Sequence, residues 1–130
     1  MAWRPREGQD DRLCAAGKGE DMSGVRIRIT VVKKLECPEL AADYAVGSVW
    51  GACPHHQVGD VYEVSGEASY PKPDGLCAWA WADLHRAVTT LRYGADQRPK
   101  LPPGTMIVCC TDGRRPVVFA VERLEEGGSG

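Results

Sequence analysis

Four cysteines of this chain stand beside turn signals. Cys53 precedes Pro54, Cys77 follows Gly75, and the adjacent pair Cys109-Cys110 precedes Thr111-Asp112-Gly113. Turns and element ends let side chains that are distant in sequence converge, which is what a metal ion asks of its ligands. Zinc takes four thiolate or imidazole donors in a tetrahedron, and an iron–sulfur cluster takes four thiolates. The count meets either demand, but no Cys-x-x-Cys occurs, so the spacing selects neither. The expected metal ligands are Cys53, Cys77, Cys109 and Cys110, with zinc or an iron–sulfur cluster as the bound group. One of His55 and His56, close behind Cys53, can complete a Cys/His set or act as base to a thiol. As neighbours on a loop, the two are otherwise expected to be solvent-exposed.

Other uses of the same thiols compete with this one. Free cysteine is a small residue that is often buried, so packing is its commonest role. In a regular strand Cys109 and Cys110 point to opposite faces, Cys109 with Ile107 and Cys110 with Met106 and Val108. They reach one metal only if the strand breaks or bulges there. Joined as a vicinal disulfide they would form a strained, reducible ring suited to redox switching. Cys77 sits just before the best helix of the chain, where a thiolate is stabilised by the positive end of the helix dipole. Cys77 and Cys110 are therefore the candidate reactive thiols. Cys37 is expected to pack, and Cys14 to be incidental.

Next to the cysteine pair, Asp112-Gly113-Arg114-Arg115 offers a carboxylate, a flexible amide and two guanidiniums. Arginines there suit a carboxylate or phosphate group and favour a nearby thiolate; the plainer reading is a solvated hairpin turn. Asp112 and Arg114 join the list of candidate catalytic groups, with Trp79 as a residue facing a pocket or a partner. Walker and dinucleotide-type glycine loops, Gly-x-Ser-x-Gly and His-Glu-x-x-His are all missing.

These groups must be positioned by a small core. The 130 residues suit one domain, and 43% hydrophobic with 26% charged residues favours a folded chain. Fifteen glycines and nine prolines imply many turns and short elements. A net charge of −2, without basic–aromatic interleaving, argues against nucleic acid and anionic lipid as partners. An unidentified protein or small molecule remains as partner. The charged N-terminal dozen residues lack an apolar secretory core, and no apolar run nears the ~18 residues of a membrane span. The expected location is the cytoplasm, where thiols stay reduced.

Residues 1–23 are polar and aperiodic and are expected to form a disordered arm, with Met22 a candidate start; 125–130 read as a flexible tail. Between them, 24–124 form one expected domain. Val25, Ile27, Ile29 and Val31 alternate with polar residues as in a strand with one buried face, ended by Lys33-Lys34. Residues 37–44 suit a short helix with Pro38 at its first position and Gly47 as a stop. Residues 60–65 read as a strand and 70–75 as a turn-rich loop. From 78 to 93, Trp81, Leu84, Val88 and Leu91 make one helical apolar stripe, which Cys77 extends upstream; His85, Thr89 and Arg92 lie opposite. Gly94 caps the helix. Residues 105–111 and 116–123 read as a hairpin. The order β-α-β-α-β-β predicts an α+β domain: a small, mainly antiparallel sheet with the long helix on one face.

Three segments taken together, Cys53-Pro54, Gly75-Leu-Cys77-Ala-Trp79-Ala-Trp81-Ala-Asp83 and Cys109-Cys110-Thr-Asp-Gly-Arg-Arg-Pro-Val117-Val-Phe119, bear a likeness to known proteins. With the opening strand, they resemble a functionally uncharacterised family of small prokaryotic proteins over about residues 24–124. Its pattern is Cys-Pro, then Gly-x-Cys-x-Trp-Ala-Trp-x-Asp, then Cys-Cys-Thr-Asp-Gly-x-Arg-Pro-Val-x-Phe. The resemblance implies no activity. It implies that Cys53, Cys77, Cys109 and Cys110 belong to one set, which favours a joint metal or redox site. Cys14, Cys37 and the His55-His56 pair fall outside the pattern. The leading expectation is thus a four-cysteine metal or cluster site. The alternatives are a thiol-dependent enzyme or redox protein using Cys77 or Cys110, with Arg114 or Arg115 holding an anion, and an accessory binding module with packing cysteines.

Overall fold

The computed structural model describes residues 25–47, 50–65, 71–95 and 97–124. The expected arm, the expected tail and Cys14 lie outside the described residues. Within them the chain runs β1 (Arg26–Lys34), α1 (Pro38–Tyr44), β2 (Val61–Ser65), α2 (Ala78–Arg92), β3 (Thr105–Cys109) and β4 (Val117–Leu124). This is the predicted α+β order. The four strands form one antiparallel sheet in the order β2-β1-β4-β3. No described helix is long and apolar enough to cross a membrane.

Period-two alternation builds the core. Ile27, Ile29 and Val31 of β1, Val64 of β2, and Val117, Phe119 and Val121 of β4 turn to one face and are buried. Helix α2 covers that face with Ala80, Leu84, Ala87, Val88 and Leu91. The alanines keep the helix surface low where it meets the sheet. Trp81 packs only partly on this core, at its margin, with its ring edge-on to exposed His85. Arg92, placed opposite the apolar stripe in the sequence reading, is instead buried. It follows Leu91 at the last turn, and its guanidinium stacks over Tyr93. Gly94, at φ +93, ends the helix in the left-handed conformation that glycine adopts without strain.

Strand β1 ends at Lys34, within the expected Lys33-Lys34, but reaches it through a bulge. Val31 pairs with Phe119, but Lys33 pairs with Val118 and Lys34 with Val117, so Val32 is the extra residue. Cross-strand partners share a face. The bulge therefore moves Lys34 to the core side of the sheet, where its ammonium donates to the His56 carbonyl at 2.7 Å. The β3–β4 strands end earlier than the sequence pattern suggests, at Cys109 and Val117, leaving residues 110–116 as a broad loop.

Removing the Phe119 ring empties the centre of the core, so Phe119→Ala is expected to lower unfolding free energy by about 3–5 kcal/mol. Ile107→Ala, on the exposed face of β3, should change it by less than about 0.5 kcal/mol. Urea unfolding midpoints at constant slope measure both.

Candidate functional site

The start of α2, residues 50–57 and the 110–116 loop enclose a cavity of about 360 Å³. Cys53, Cys77 and Cys110 line it, together with His55, His56, Trp79, Asp112, Arg114 and Arg115. Three of the four expected ligands thus share one hollow. Cys109 is not among the lining residues. Strand alternation puts it with exposed Ile107, while Cys110 follows Met106 and Val108 onto the core. Partial desolvation of its sulfur, then the neighbouring Cys110 and Asp83, push the Cys109 thiol above its ordinary range.

Strand alternation parts the two adjacent cysteines, and the regular ladder ends between them. Cys110 N–H still donates to the Val117 carbonyl at 3.0 Å. The return bond goes from Val117 N–H to the Cys110 sulfur at 3.3 Å, where a regular ladder would use the carbonyl. Cys77 is the N-cap residue of α2, and its sulfur makes no capping hydrogen bond. Gly75, at φ +86, supplies the left-handed turn that leads into it. Lys72 Nζ, bound to the Leu76 carbonyl at 2.8 Å, holds that turn. Cys37 is half-buried, and its Sγ donates to the Gly113 carbonyl at 3.4 Å.

The histidines are not the exposed pair that their loop position suggests. His55 is exposed, but His56 is 1% exposed. Its Nε2 accepts the Cys77 N–H at 3.4 Å, so Nδ1 carries the proton and donates to the Tyr62 hydroxyl at 3.1 Å. Tyr62 in turn reaches the Gly75 carbonyl at 3.5 Å. The ring also stands edge-on to Phe119. Both ring nitrogens are thereby occupied, which makes His56 a structural joint rather than a ligand or base. Burial, then His55, lower its pKa; Asp60 opposes this, and Lys34 adds to the lowering. His55 Nε2–H donates to the Gly75 carbonyl at 3.1 Å, leaving Nδ1 as its lone-pair nitrogen.

A second network joins the helix to the cysteine loop. Asp83 accepts from Thr111 N–H at 2.8 Å and from its hydroxyl at 3.1 Å. The Trp79 indole N–H donates to the same hydroxyl at 2.7 Å. Trp79 is 62% exposed and spans from this bond to the cavity wall. Beyond Thr111, Asp112 accepts the Arg114 N–H at 3.0 Å and pairs with both guanidiniums. Partial burial raises its pKa, but the Arg114 N–H and the two arginine charges outweigh this and hold the carboxyl below its ordinary range. Arg114 also lies over the Trp50 ring.

By type, three thiols and the His55 imidazole are donors that zinc or a cluster accepts. As they stand, no three Cys, His, Asp or Glu side chains among the described residues are grouped to hold an ion. Sequence reasoning did not assign Tyr62, Lys34, Thr111 and Asp83 to the site. The only sequence signal for the last two was their place inside the long motifs. Comparison with family models, curated proteins and solved structures finds no match to any of them.

The lowered His56 pKa makes stability depend on pH. Because protonation is disfavoured in the fold, the unfolded chain takes the proton first as pH falls. The contribution is complete above the unfolded value of about 6.5 and is lost as pH drops toward the lower folded value. Urea midpoints measured from about pH 7.5 to pH 5 should fall, and His56→Gln should remove His56's share of that slope.

Proposed function

We propose that this protein binds a thiophilic metal ion, zinc or the iron of an iron–sulfur cluster, through Cys53, Cys77 and Cys110, with His55 as the further donor. The observation that carries this reading is the shared cavity: three thiols from three separate loop regions line one hollow. The His55 tautomer adds support. An imidazole that donates one N–H to a backbone carbonyl and keeps the other nitrogen's lone pair is arranged as metal-binding histidines are. Binding would draw these groups inward, because they do not yet converge on one point. The metal would hold the loops together and polarise whatever else enters the cavity. Cys109, on the outer side of β3, is left out of the ligand set.

One feature favours a second reading, in which Cys77 is a nucleophilic or redox thiol. Its sulfur lies at the start of a 15-residue helix, is uncommitted to a cap, and shares the cavity with Arg114 and Arg115. Here the two arginines would hold the anionic end of a substrate while the sulfur reacts.

Protein prepared anaerobically without a metal-affinity tag separates the readings. Elemental and acid-labile sulfide analysis should find zinc, or iron with sulfide, at near-stoichiometric occupancy. Cys53→Ser, Cys77→Ser and Cys110→Ser should each weaken binding by at least about tenfold, the loss seen when even a residue that supports a ligand is removed. Cys109→Ser should retain it. Absence of metal and sulfide, or equal binding by all four variants, overturns the proposal.

A further inference from the structure

The cavity carries more positive charge than its own acid neutralises. Arg114 Nε lies 3.5 Å from one Asp112 oxygen and Arg115 Nε 3.6 Å from the other, so a single carboxylate answers two guanidiniums. Among the lining carboxylate and guanidiniums, one positive charge is left uncompensated. Asp83, whose carboxylate accepts from Thr111, is not among the lining residues. Behind the wall the Asp60 carboxylate and the Lys34 ammonium act on His56 with opposite signs, so neither changes the count.

Two further observations point to an incoming oxygen acceptor. Arg115 Nε is buried and makes no hydrogen bond among the described residues. Its nearest acid, Asp112 at 3.6 Å, is just beyond hydrogen-bond reach, and an entering carboxylate would supply the closer acceptor. The remaining wall, formed by Trp79, Ala80 and Val117, is apolar, and about 360 Å³ lies in the range of small-molecule sites.

We infer that the cavity receives a small organic monoanion of the carboxylate class. Arg115, with Arg114, holds its charged head. Its body lies along Trp79 and Val117, and its far end meets the thiols. The excess of one charge selects a monoanion over a phosphate dianion. This inference rests on the cavity being the functional site, but not on which group the cysteines bind.

Iodoacetate and iodoacetamide present the same electrophilic carbon with and without a carboxylate, and they test the inference on the full chain, reduced and with chelator present. In both reactions a cysteine thiolate displaces iodide and forms a sulfur–carbon bond, read for each cysteine by peptide mass spectrometry. Exposed Cys109 is the internal reference. The iodoacetate-to-iodoacetamide rate ratio at Cys77 should exceed that at Cys109 by about fivefold at low salt and decline as salt screens the arginines. Arg115→Gln should bring the iodoacetate-to-iodoacetamide ratio at Cys77 down to that at Cys109, whatever it does to the iodoacetamide rate alone, and Arg115→Lys should restore part of the excess. Equal ratios at Cys77 and Cys109 in the unmodified sequence overturn the inference without any variant. So does an Arg115→Gln effect that slows both reagents alike, because the charge then serves the thiolate and not a ligand. Chelator removes metal from the measurement, so failure of the metal proposal leaves this test intact.

Discussion

A neutral imidazole sealed from water ties the cavity together. His56 receives the backbone N–H at the start of α2 through one nitrogen and gives its proton to Tyr62 of β2 through the other. A net hydrogen bond of this kind is worth about 1 kcal/mol, whereas a buried partner left unsatisfied costs about 1–3 kcal/mol. The asymmetry matters here because three polar groups depend on the same ring and its carbonyl: Cys77 N–H, the Tyr62 hydroxyl and the Lys34 ammonium. Lys34 is available only because the Val32 bulge turns it to the core side. A local irregularity in β1 thus fixes the loop that carries Cys53 and, through His56, the residue that begins α2.

The Asp83–Thr111–Trp79 network fixes the other wall. It links the first two turns of α2 to the loop that carries Cys110, Asp112 and the two arginines. Trp79 and Asp83 come from one of the two long motifs, and Thr111 from the other. The motif residues are therefore physically complementary: an indole donor, a hydroxyl that both accepts and donates, and a carboxylate that closes the chain. Their polar groups explain why a helix face otherwise suited to solvent carries a tryptophan in its first turn.

Much of this fold is legible in the residues themselves. Alternation in β1 and the apolar stripe of α2 follow directly from strand and helix periods, and Gly94 ends the helix as its type suggests. His56 was not legible, because residues 50–57 have no periodicity and burial there comes from the Tyr62 ring of β2 and from Phe119, which is distant in sequence. Arg92 was misplaced for a similar reason, since helical phase alone ranks it as outward. The choice of face at Cys109 and Cys110 was open in the sequence, as apolar residues flank both phases. The core resolves it by taking Met106 and Val108. Turn chemistry at Pro54, Gly75 and Gly113 was the useful clue to the cavity, because turns end elements and the ends of these elements meet.

The split between Cys109 and Cys110 also constrains the chemistry that adjacent thiols can share. A bond between neighbouring sulfurs needs both on one side of the chain. Cys110 is held inward by two contacts with Val117, one through its amide and one through its sulfur. Cys109 is held outward by its place in the ladder opposite Val118. Joining them would sacrifice the Val117 N–H bond and twist the last rung of β3, and the raised Cys109 thiol is the less ready partner for exchange. The thiols that line the cavity are therefore Cys53, Cys77 and Cys110, from segments distant in sequence, and not an adjacent pair. They are coupled to the two hydrogen-bond networks that set the helix and loops at their present distance. Any change that loosens His56 or Thr111 alters how the three sulfurs face one another before it alters the sulfurs themselves.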